Sequence, residues 1–459
     1  MSSHSGSEGQ IPIRGGPSRR ALLRGGIGAI GGVGLASALA GCGSPIAAGL
    51  AGTQIAPGTV TFWNLFGGGD GARLTVMLDQ YEKNHGGSGS LQAATFAWGN
   101  PYYTKVALAT IGNKPPDVAI SHLTRAKNLA EGGLLTPITD DMLALVDLKP
   151  SDFTDRVWQA QKLNGTSYAI PLDTHPLVLF YNETVCKKAG LLGADGKLKT
   201  ITGTDEWEAA LTAIKKVTGQ YGATTGSIAD PSNSWRWFTT LYQQMNGSTP
   251  FLSDNGGKLT YNKDLVLKTL AYIRKLTASG LMPASIDTPG AETLMFTGKS
   301  GFFINGEWEI TTAQAIEGLK FSIVPIPKLF DKKAAFADSH TFVLPATDRS
   351  PAQLKRTMGF VKSMLDQSLT WAKGGHIPAY LPVKDSAAYK QLTPQSNYVE
   401  VADYAVYDPL AWYSGSGSNF ENIVGAQIGL VQQGLASPVQ ALASIRQQLL
   451  TYVDTPSPL

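Results

Sequence analysis

The sequence predicts an α/β protein in which strands and helices alternate to form a parallel sheet with helices on both faces. Residues 59–65 and 117–121 are short apolar runs typical of strands, and apolar residues at helical spacing follow each of them. Strand–helix–strand alternation of this kind places neighbouring strands parallel. The chain has 459 residues, of which 43% are hydrophobic and 16% charged, which is globular composition and enough for two or more domains.

The first 42 residues have the pattern of an export signal. A polar start leads to Arg19-Arg20, and residues 25–40 are apolar and uncharged, an order typical of a signal peptide. The arginine pair favours the twin-arginine (Tat) route, with general secretion as the alternative. The apolar stretch of 16 residues is shorter than the roughly 20 residues that a membrane-spanning helix needs.

This apolar stretch ends in Leu39-Ala40-Gly41-Cys42, which resembles the bacterial lipobox. We therefore expect residues 1–41 to be a signal peptide and Cys42 to carry the lipid, with palmitate among its acyl groups. A signal anchor with an incidental cysteine is the alternative. Residues 42–58 are rich in Ala, Gly and Pro and are predicted to be the tether of a protein anchored to the outer face of the cytoplasmic membrane.

The remaining elements are predicted from turn residues and periodicity. Gly67-Gly-Gly-Asp-Gly71 indicates a tight loop after the first strand, followed by a helix over 74–81. Thr204 is predicted to be a helix N-cap, and Gly280 to end a helix over 265–279. Further helices are predicted at 209–217 and 235–245, strands at 302–304 and 321–324, and a mainly helical C-terminal third.

The charge balance excludes nucleic acid as a partner. The net charge of +3 comes from residues 1–42, without which 34 basic and 34 acidic residues remain. Nucleic-acid binding relies on clustered Lys and Arg, and no basic patch is present in the sequence. The charge balance therefore favours an uncharged partner.

Cysteine and histidine usage indicates neither a disulfide nor a catalytic motif. Cys186 is the only other cysteine, so no intramolecular disulfide is expected, and its place at a predicted helix start favours a buried structural role. The sequence has no Gly-x-Ser-x-Gly, His-Glu-x-x-His or Gly-x-x-x-x-Gly-Lys-Ser/Thr motif. The five histidines after the signal peptide lack metal-ligand spacing. We expect no cofactor and no metal.

Several segments, taken in order, resemble one family, the sugar-binding lipoproteins of ABC importers that are related to maltose-binding protein. The most specific is Phe296-Thr-Gly-Lys-Ser-Gly-Phe-Phe-Ile-Asn-Gly-Glu-Trp308, which is similar to a Phe-x-x-Gly-x-x-x-Met-x-x-x-Gly-x-Trp pattern but has Ser300-Gly-Phe-Phe where small-small-Met is usual. The other matching segments are Thr59–Trp63, Pro116–Val118 with Gly133–Ile138, Asn164–Asp173 through Phe180–Asn182, Gly374–Pro378 and Gln433–Leu442.

The resemblance implies a two-lobed periplasmic-binding-protein-like fold (type II), in which each lobe is a sheet flanked by helices and crossing strands join the lobes. Lobe one would be residues 59–170 and 342–388, and lobe two residues 171–341 and 389–459. The implied function is non-catalytic: a monomer captures a carbohydrate, most simply a neutral oligosaccharide, in the interlobe cleft. Hinge closure would present it to ABC permease subunits and an ATPase.

Candidate ligand-binding residues are aromatic side chains that stack on sugar rings and polar side chains that bind hydroxyls. By the resemblance, Trp308 stacks on the ligand beside Glu307, and Trp235 and Trp237 form an aromatic subsite in which one of the two faces the ligand. Alternation along an extended segment places Asp173 and His175 on one side. The further candidates are Phe66, Asp70, Trp98, Ser121, His122 and Arg125, with His340, Trp412 and Glu421 in an outer ring.

Two alternatives remain open on the sequence alone. Arg125 and Arg236 would suit a glycerophosphodiester, and a polyol would suit the same fold. A lipid-anchored glycosidase would need two carboxylates about 5–10 Å apart, for which Asp173 and Glu307 are candidates.

Overall fold

The computed structural model describes residues 58–87 and 89–458 as a mixed α/β structure. The predicted signal peptide, Cys42 and the tether up to residue 57 lie outside the described residues. Among the helices that are described, none is long and apolar enough to cross a membrane.

The strands are short except for one of ten residues. In chain order they are β1 Val60–Asn64, β2 Leu91–Thr95, β3 Val118–His122, β4 Lys162–Leu163, β5 Thr166–Ser167, β6 Ala169–Pro171, β7 Asp173–Asn182, β8 Ala223–Thr224, β9 Leu252–Ser253, β10 Lys258–Leu259, β11 Phe302–Gly306, β12 Phe321–Pro325, β13 Ala335–Asp338, β14 His340–Val343, β15 Ile377–Pro378 and β16 Ala405–Val406.

The helices connect these strands and dominate the C-terminal third. In chain order they are α1 Gly68–Asn84, α2 Asn100–Ile111, α3 Leu123–Glu131, α4 Asp140–Ala144, α5 Asp155–Ala160, α6 Glu183–Lys188, α7 Gly203–Thr218, α8 Pro231–Gln243, α9 Lys263–Ala278, α10 Thr288–Phe296, α11 Ile310–Gln314, α12 Pro351–Asp366, α13 Ser368–Ala372, α14 Leu381–Lys384, α15 Ala387–Lys390, α16 Val401–Tyr404, α17 Asn419–Gln433 and α18 Pro438–Val453.

The first sheet has the strand order β2-β1-β3-β14-β6. β1 runs parallel to β2 and β3, with Phe62 opposite Val118, so the predicted parallel sheet is confirmed for these three strands. β14 returns antiparallel between β3 and β6, which the sequence analysis did not predict. The hydrophobic cluster around this sheet draws on residues 60–172 and 342–380.

The second sheet is built around β7, whose ten residues are all buried. Its order is β16-β13-β7-β11-β8, and β12 and β15 also pair with β7. β11 lies antiparallel to β7, with Phe302 opposite Tyr181. Two hydrophobic clusters, one over residues 177–449 and a smaller one over 178–402, pack on this sheet.

The chain passes between the two sheets at two adjacent points. Only Leu172 separates β6 from β7, and only Ser339 separates β13 from β14. The two passages are hydrogen-bonded to each other, because Leu172 N donates to the His340 carbonyl at 2.8 Å. Side chains at the start of β7 and of β14 are therefore brought together between the sheets. The lobe boundaries given above stay predictions.

Two predictions of local structure are wrong. Helix α1 begins at Gly68, so most of the predicted glycine loop is its first turn, in which Asp70 lies at the favourable positive end of the helix dipole. Helix α7 begins at Gly203 with Thr202 as N-cap, not Thr204. The reason is that Glu206 reaches back and its carboxylate accepts the Thr202 N–H at 2.8 Å, which holds the helix end two residues earlier.

The close contact between α17 and α8 predicts that a larger residue at Gly425 destabilises the protein. A Cβ added at Gly425 would lie closer than 3.0 Å to the carbonyl oxygen of Pro231, and backbone cannot move aside as a flexible side chain can. Gly425→Ala is expected to lower the free energy of unfolding by about 3 kcal/mol or more, measured by urea denaturation. Gly359→Ala in α12 is the control, because nothing lies within 4 Å of its added Cβ. Equal stability of the two variants would contradict the prediction.

Candidate functional site

A cavity of about 310 Å³ lies where the two sheets face each other. Its volume is at the lower end of the range of about 300–1,000 Å³ that small-molecule sites occupy. The first sheet, which includes β14, and its loops contribute Leu65, Phe66, Gly67, Asp70, Trp98, His122 and His340. The second sheet and its helices contribute His175, Asp230, Arg236, Trp308, Phe336 and Ser416.

Strand ends place the first-sheet side chains in this cavity. Phe66 and Asp70 come after β1, and His122 is the last residue of β3. Because β1 and β3 are parallel neighbours, their carboxyl ends meet at one edge of the sheet, which is where α/β folds bind ligands.

Trp308 is held over the end of β11 by a glycine. A Cβ added at Gly306 would lie closer than 3.0 Å to three atoms of the Trp308 ring, so only glycine leaves room for the indole. The Arg236 guanidinium lies 5.3 Å from the centre of this ring, and the centre of the His175 ring lies 6.0 Å away. These contacts fix the position of the indole at the cavity wall.

Asp173 is a fully buried carboxylate that accepts several hydrogen bonds. Its oxygens lie 2.8 Å from His340 Nδ1, 3.1 Å from His175 Nδ1 and 2.6 Å from Trp371 Nε1, and the His340 N–H donates at 2.8 Å. Burial alone would raise the pKa of Asp173, but His340 and His175 hold it well below its ordinary value. Asp173 therefore joins β7, β14 and α13 as an ionised acceptor.

His376 links a second set of carboxyl groups. Its Nε2 lies 3.0 Å from Asp70 Oδ1, and its Nδ1 lies 2.9 Å from Glu307 Oε1. Burial alone would lower the pKa of His376, but Asp70, with Glu307 and Asp173, raises it well above its ordinary value. Burial raises the pKa of the Glu307 carboxyl to about 7, against the opposing effect of His376. The His376 imidazolium thus supplies the positive charge among these acids.

One group of these residues has the composition of a metal site. Asp173, His175, His340 and His376 place one potential ligand atom each within 4.8 Å of one another. However, the contacts of Asp173 with His175 and His340 have hydrogen-bond lengths, and Trp371 donates to the same carboxylate. The arrangement is that of a hydrogen-bond network.

Three further buried carboxyl groups interact with one another, and two of them, Glu421 and Asp408, also interact with Arg236. Glu421 Oε1 is 4.0 Å from Arg236 Nε, Asp408 accepts the Trp235 indole N–H at 2.7 Å, and Asp338 accepts the Thr124 hydroxyl at 2.5 Å. Burial raises the pKa of all three acids.

The burial of Asp338 predicts that its contribution to stability depends on pH. Burial raises its pKa to about 7 in the folded protein, whereas an unfolded Asp titrates near 3.9. Between about pH 4 and 7 the unfolded chain loses this proton and the folded protein keeps it, so the contribution of Asp338 to stability falls as the pH rises. The unfolding free energy of the wild type minus that of Asp338→Asn is therefore expected to fall from pH 4.5 to pH 7.5. Urea denaturation at intermediate pH values measures it, and a constant or rising difference would contradict the prediction.

Half of the predicted ligand-binding residues line the cavity. These are Phe66, Asp70, Trp98, His122, His175 and Trp308, and His340 from the outer ring joins them. The structure thus brings together residues from six separate segments of the chain. Their role in binding a ligand stays a prediction.

The other predicted residues do not line this cavity. Trp235 and Trp237 are 2% and 1% exposed and pack in the core of the second sheet. Asp173 and Glu307 are buried in the networks above, so neither of the two carboxylates named for the glycosidase alternative lines the cavity. Ser121 donates to the His122 carbonyl, Arg125 stacks on Tyr103 at 4.4 Å, Trp412 packs on Tyr413 and Tyr452, and Glu421 is buried near Arg236.

The sequence analysis did not select several residues of the lining. Asp230 is the N-cap of α8, and the Asp230-Pro231 pair is a recognisable helix-start signal that could have placed it after the short strand β8. Leu65, Gly67, Phe336 and Ser416 had no comparable signal. His376 is not in the lining, and its partner Asp70 is 306 residues away in sequence, which no local pattern reveals.

Comparison with known proteins agrees with this architecture. A model of the family described as bacterial extracellular solute-binding protein matches residues 76–397. The arabinooligosaccharide-binding protein of Bacillus subtilis (strain 168) is 27% identical over 254 residues, which are 55% of this chain and 53% of that protein. The match therefore spans about half of the length of this relative.

Solved structures extend the comparison to most of the chain. The GacH receptor of Streptomyces glaucescens, determined unliganded and in complex with acarbose, has a TM-score of 0.69 at 21% identity and covers 86% of this chain and 98% of its own. The sugar-binding protein MalE of Xanthomonas citri has a TM-score of 0.69 at 16% identity, with 86% and 97% covered. These likenesses establish the two-lobed α/β fold.

The family model covers well over half of the chain, and the relative and both structures are described as binding proteins or receptors rather than enzymes. The chain belongs to the bacterial extracellular solute-binding protein family.

Proposed function

We propose that this protein captures a carbohydrate in the cavity between its two sheets and delivers it to an ABC importer. The observation that carries the proposal is the composition of one cavity, in which Trp308, Trp98 and Phe66 lie beside polar side chains. Aromatic faces stack on the C–H faces of sugars, and buried polar groups bind hydroxyls. The relatives, which are named as binding arabinooligosaccharide or sugar or were solved with acarbose, support the same ligand class.

Export and anchoring are part of the proposal. The Arg19-Arg20 pair and the Leu39-Ala40-Gly41-Cys42 lipobox support a Tat-exported lipoprotein whose lipid on Cys42 holds it at the outer face of the cytoplasmic membrane. The protein would act as a monomer, without cofactor, together with two permease subunits and a cytoplasmic ATPase. Cys42→Ser is expected to release the protein from the membrane fraction, and retention of this variant would contradict lipid anchoring.

A thermal-shift screen of the purified full chain tests the ligand class. The panel contains arabinotriose, maltotetraose, acarbose, sorbitol and glycerophosphocholine. A compound that binds only the folded state raises the melting temperature by mass action. A shift with a carbohydrate supports the proposal. A shift with glycerophosphocholine alone would favour the phosphodiester alternative instead. No shift with any compound would contradict the proposal.

Trp308→Ala is predicted to abolish the shift that the best carbohydrate gives. The substitution removes the indole that lines the cavity without touching the hydrogen-bond network of Asp173. Isothermal titration calorimetry of the two proteins measures the change in affinity. Trp158→Phe serves as the control, because Trp158 packs on Phe153 in the core of the first sheet. Binding by Trp308→Ala that is equal to that of the control would remove Trp308 from the site.

A further inference from the structure

Three imidazoles form one wall of the cavity, which we call the histidine wall: His122, His175 and His340. The ring centres of His175 and His340 are 4.1 Å apart, and that of His122 lies 4.9 Å from His340 and 5.5 Å from His175. Each ring has its Nδ1 bound to a buried partner. Among residues 58–87 and 89–458, no hydrogen bond reaches the Nε2 of any of the three rings. The Nε2 atoms are therefore polar atoms of this wall that are left for a ligand.

Asp173 determines where His175 and His340 carry their protons. An ionised carboxylate only accepts, so both Nδ1 atoms, at 3.1 and 2.8 Å from it, must donate. Burial, with the nearby His340, lowers the pKa of His175 to about 3, so this ring is neutral at physiological pH. A neutral imidazole with its proton on Nδ1 has an unprotonated Nε2, which accepts hydrogen bonds.

Tyr103 has the opposite effect on His122. The Tyr103 hydroxyl oxygen accepts the backbone N–H of His122 at 3.0 Å and lies 2.7 Å from His122 Nδ1, so its own proton is free to be donated to that nitrogen. Burial, with His340 and His175 nearby, lowers the pKa of His122 well below its ordinary value. A neutral ring whose Nδ1 accepts carries its proton on Nε2, which therefore donates.

We propose that the histidine wall presents an acceptor, Nε2 of His175, beside a donor, Nε2–H of His122, and thereby selects a neutral, hydroxyl-bearing ligand over an anionic one. This inference rests on the proposed carbohydrate function and deepens it. A hydroxyl both donates and accepts, so it satisfies either kind of atom. A carboxylate or a phosphodiester has no proton for His175 and would face its lone pair. Asp173 and Tyr103 act as positioning residues.

The charges of the lining support the same selection. Asp70 and Asp230 are two carboxylates that repel an anion, and Arg236 is the one guanidinium of the described lining. Arg236 lies over the Trp308 ring at 5.3 Å, and the buried Glu421 carboxyl is 4.0 Å from its Nε. Arg236 Nε has no hydrogen-bond partner among the described residues, but the lining sets two carboxylates against this one guanidinium, and the excess of negative charge disfavours an anion.

Nitrogen NMR of the ligand-free protein tests the proton positions directly. The chain has six histidines, so the full chain labelled with [15N]histidine gives few ring signals at pH 8, and His→Gln variants assign them. His175 is expected to show a protonated Nδ1 and an unprotonated Nε2, and His122 the reverse. The opposite pattern in either ring would overturn the proposal. So would stoichiometric zinc in the purified protein, because the Nδ1 atoms would then be metal ligands.

Two variants show that the positioning residues act through the rings. Tyr103→Phe is expected to change the tautomer of His122 alone. Asp173→Asn leaves one carbonyl oxygen for two rings, so at least one of His175 and His340 is expected to change its tautomer. His85→Gln at the end of α1 is the control, because His85 contacts Tyr81 and not the wall. Unchanged spectra in both variants would overturn the proposal. If Asp173→Asn fails to fold, an unchanged His122 signal in Tyr103→Phe overturns it by itself.

Matched pairs of ligands test the selection in the wild type. Galactose is compared with galacturonate, glucose with glucuronate, and glycerol with glycerol 3-phosphate, by thermal shift and calorimetry. The neutral member of a pair is expected to bind at least about tenfold more tightly. Tighter binding of an anionic member would overturn the inference. No binding of any sugar, with the expected tautomers seen by NMR, would instead contradict the proposed carbohydrate function, so the two failures are distinct.

Discussion

Asp173→Ala is expected to lower the free energy of unfolding by about 3–5 kcal/mol. The substitution removes the acceptor of four donors that lie between the sheets: two imidazoles, the Trp371 indole and the His340 backbone N–H. Each buried donor left without an acceptor costs about 1–3 kcal/mol. Urea denaturation monitored by circular dichroism measures the loss.

Asp366→Ala is the matched control for this prediction. Asp366 also pairs with a nitrogen at 2.6 Å, that of Lys362, but half of its side chain is exposed on α12. Exposed ion pairs contribute at most about 1 kcal/mol. A loss in Asp173→Ala no larger than in Asp366→Ala would show that the buried network does not stabilise the junction of the sheets.

Gly306→Ala is expected to weaken ligand binding by about 30-fold or more while the protein stays folded. The added methyl group would occupy space that the Trp308 ring now fills, so the indole must leave its place between Gly306 and Arg236. Because the φ angle of Gly306 is −70°, alanine is allowed by the backbone and only the ring is displaced. Calorimetry with the best carbohydrate of the thermal-shift screen measures the affinity.

Gly359→Ala is the control for the loss of binding, since its added Cβ meets nothing and lies outside the cavity. It is expected to bind as the wild type does. Unchanged affinity in Gly306→Ala, with folding verified by circular dichroism, would mean that the position of the Trp308 indole does not matter for binding.

The sequence analysis predicted much of the fold and part of the cavity. β1 and β3, and α1 over most of its length, were predicted because apolar periodicity is a local signal. Phe66, Asp70 and His122 could be placed near one another because the ends of parallel strands meet at one edge.

The same reasoning cannot predict which side chains are covered by other parts of the fold. The resemblance places Trp235 and Trp237 in an aromatic subsite, but nearly every residue of α8 is buried, because the helix packs between the second sheet and α17. Periodicity cannot distinguish a helix with one apolar face from one that is covered on several sides. Both indoles are therefore in the core.

What the sequence determined by itself is the α/β class, the resemblance to a family and the pattern of an export signal, since each depends on short local patterns and on their order along the chain. Only the tertiary structure decided which polar side chains face the cavity and which lie behind it. His340 and Asp173 are 167 residues apart, and His376 and Asp70 are 306 residues apart. The physical reason is that hydrogen bonds between distant segments determine where the protons of the cavity wall lie, and these segments meet only when both sheets have formed.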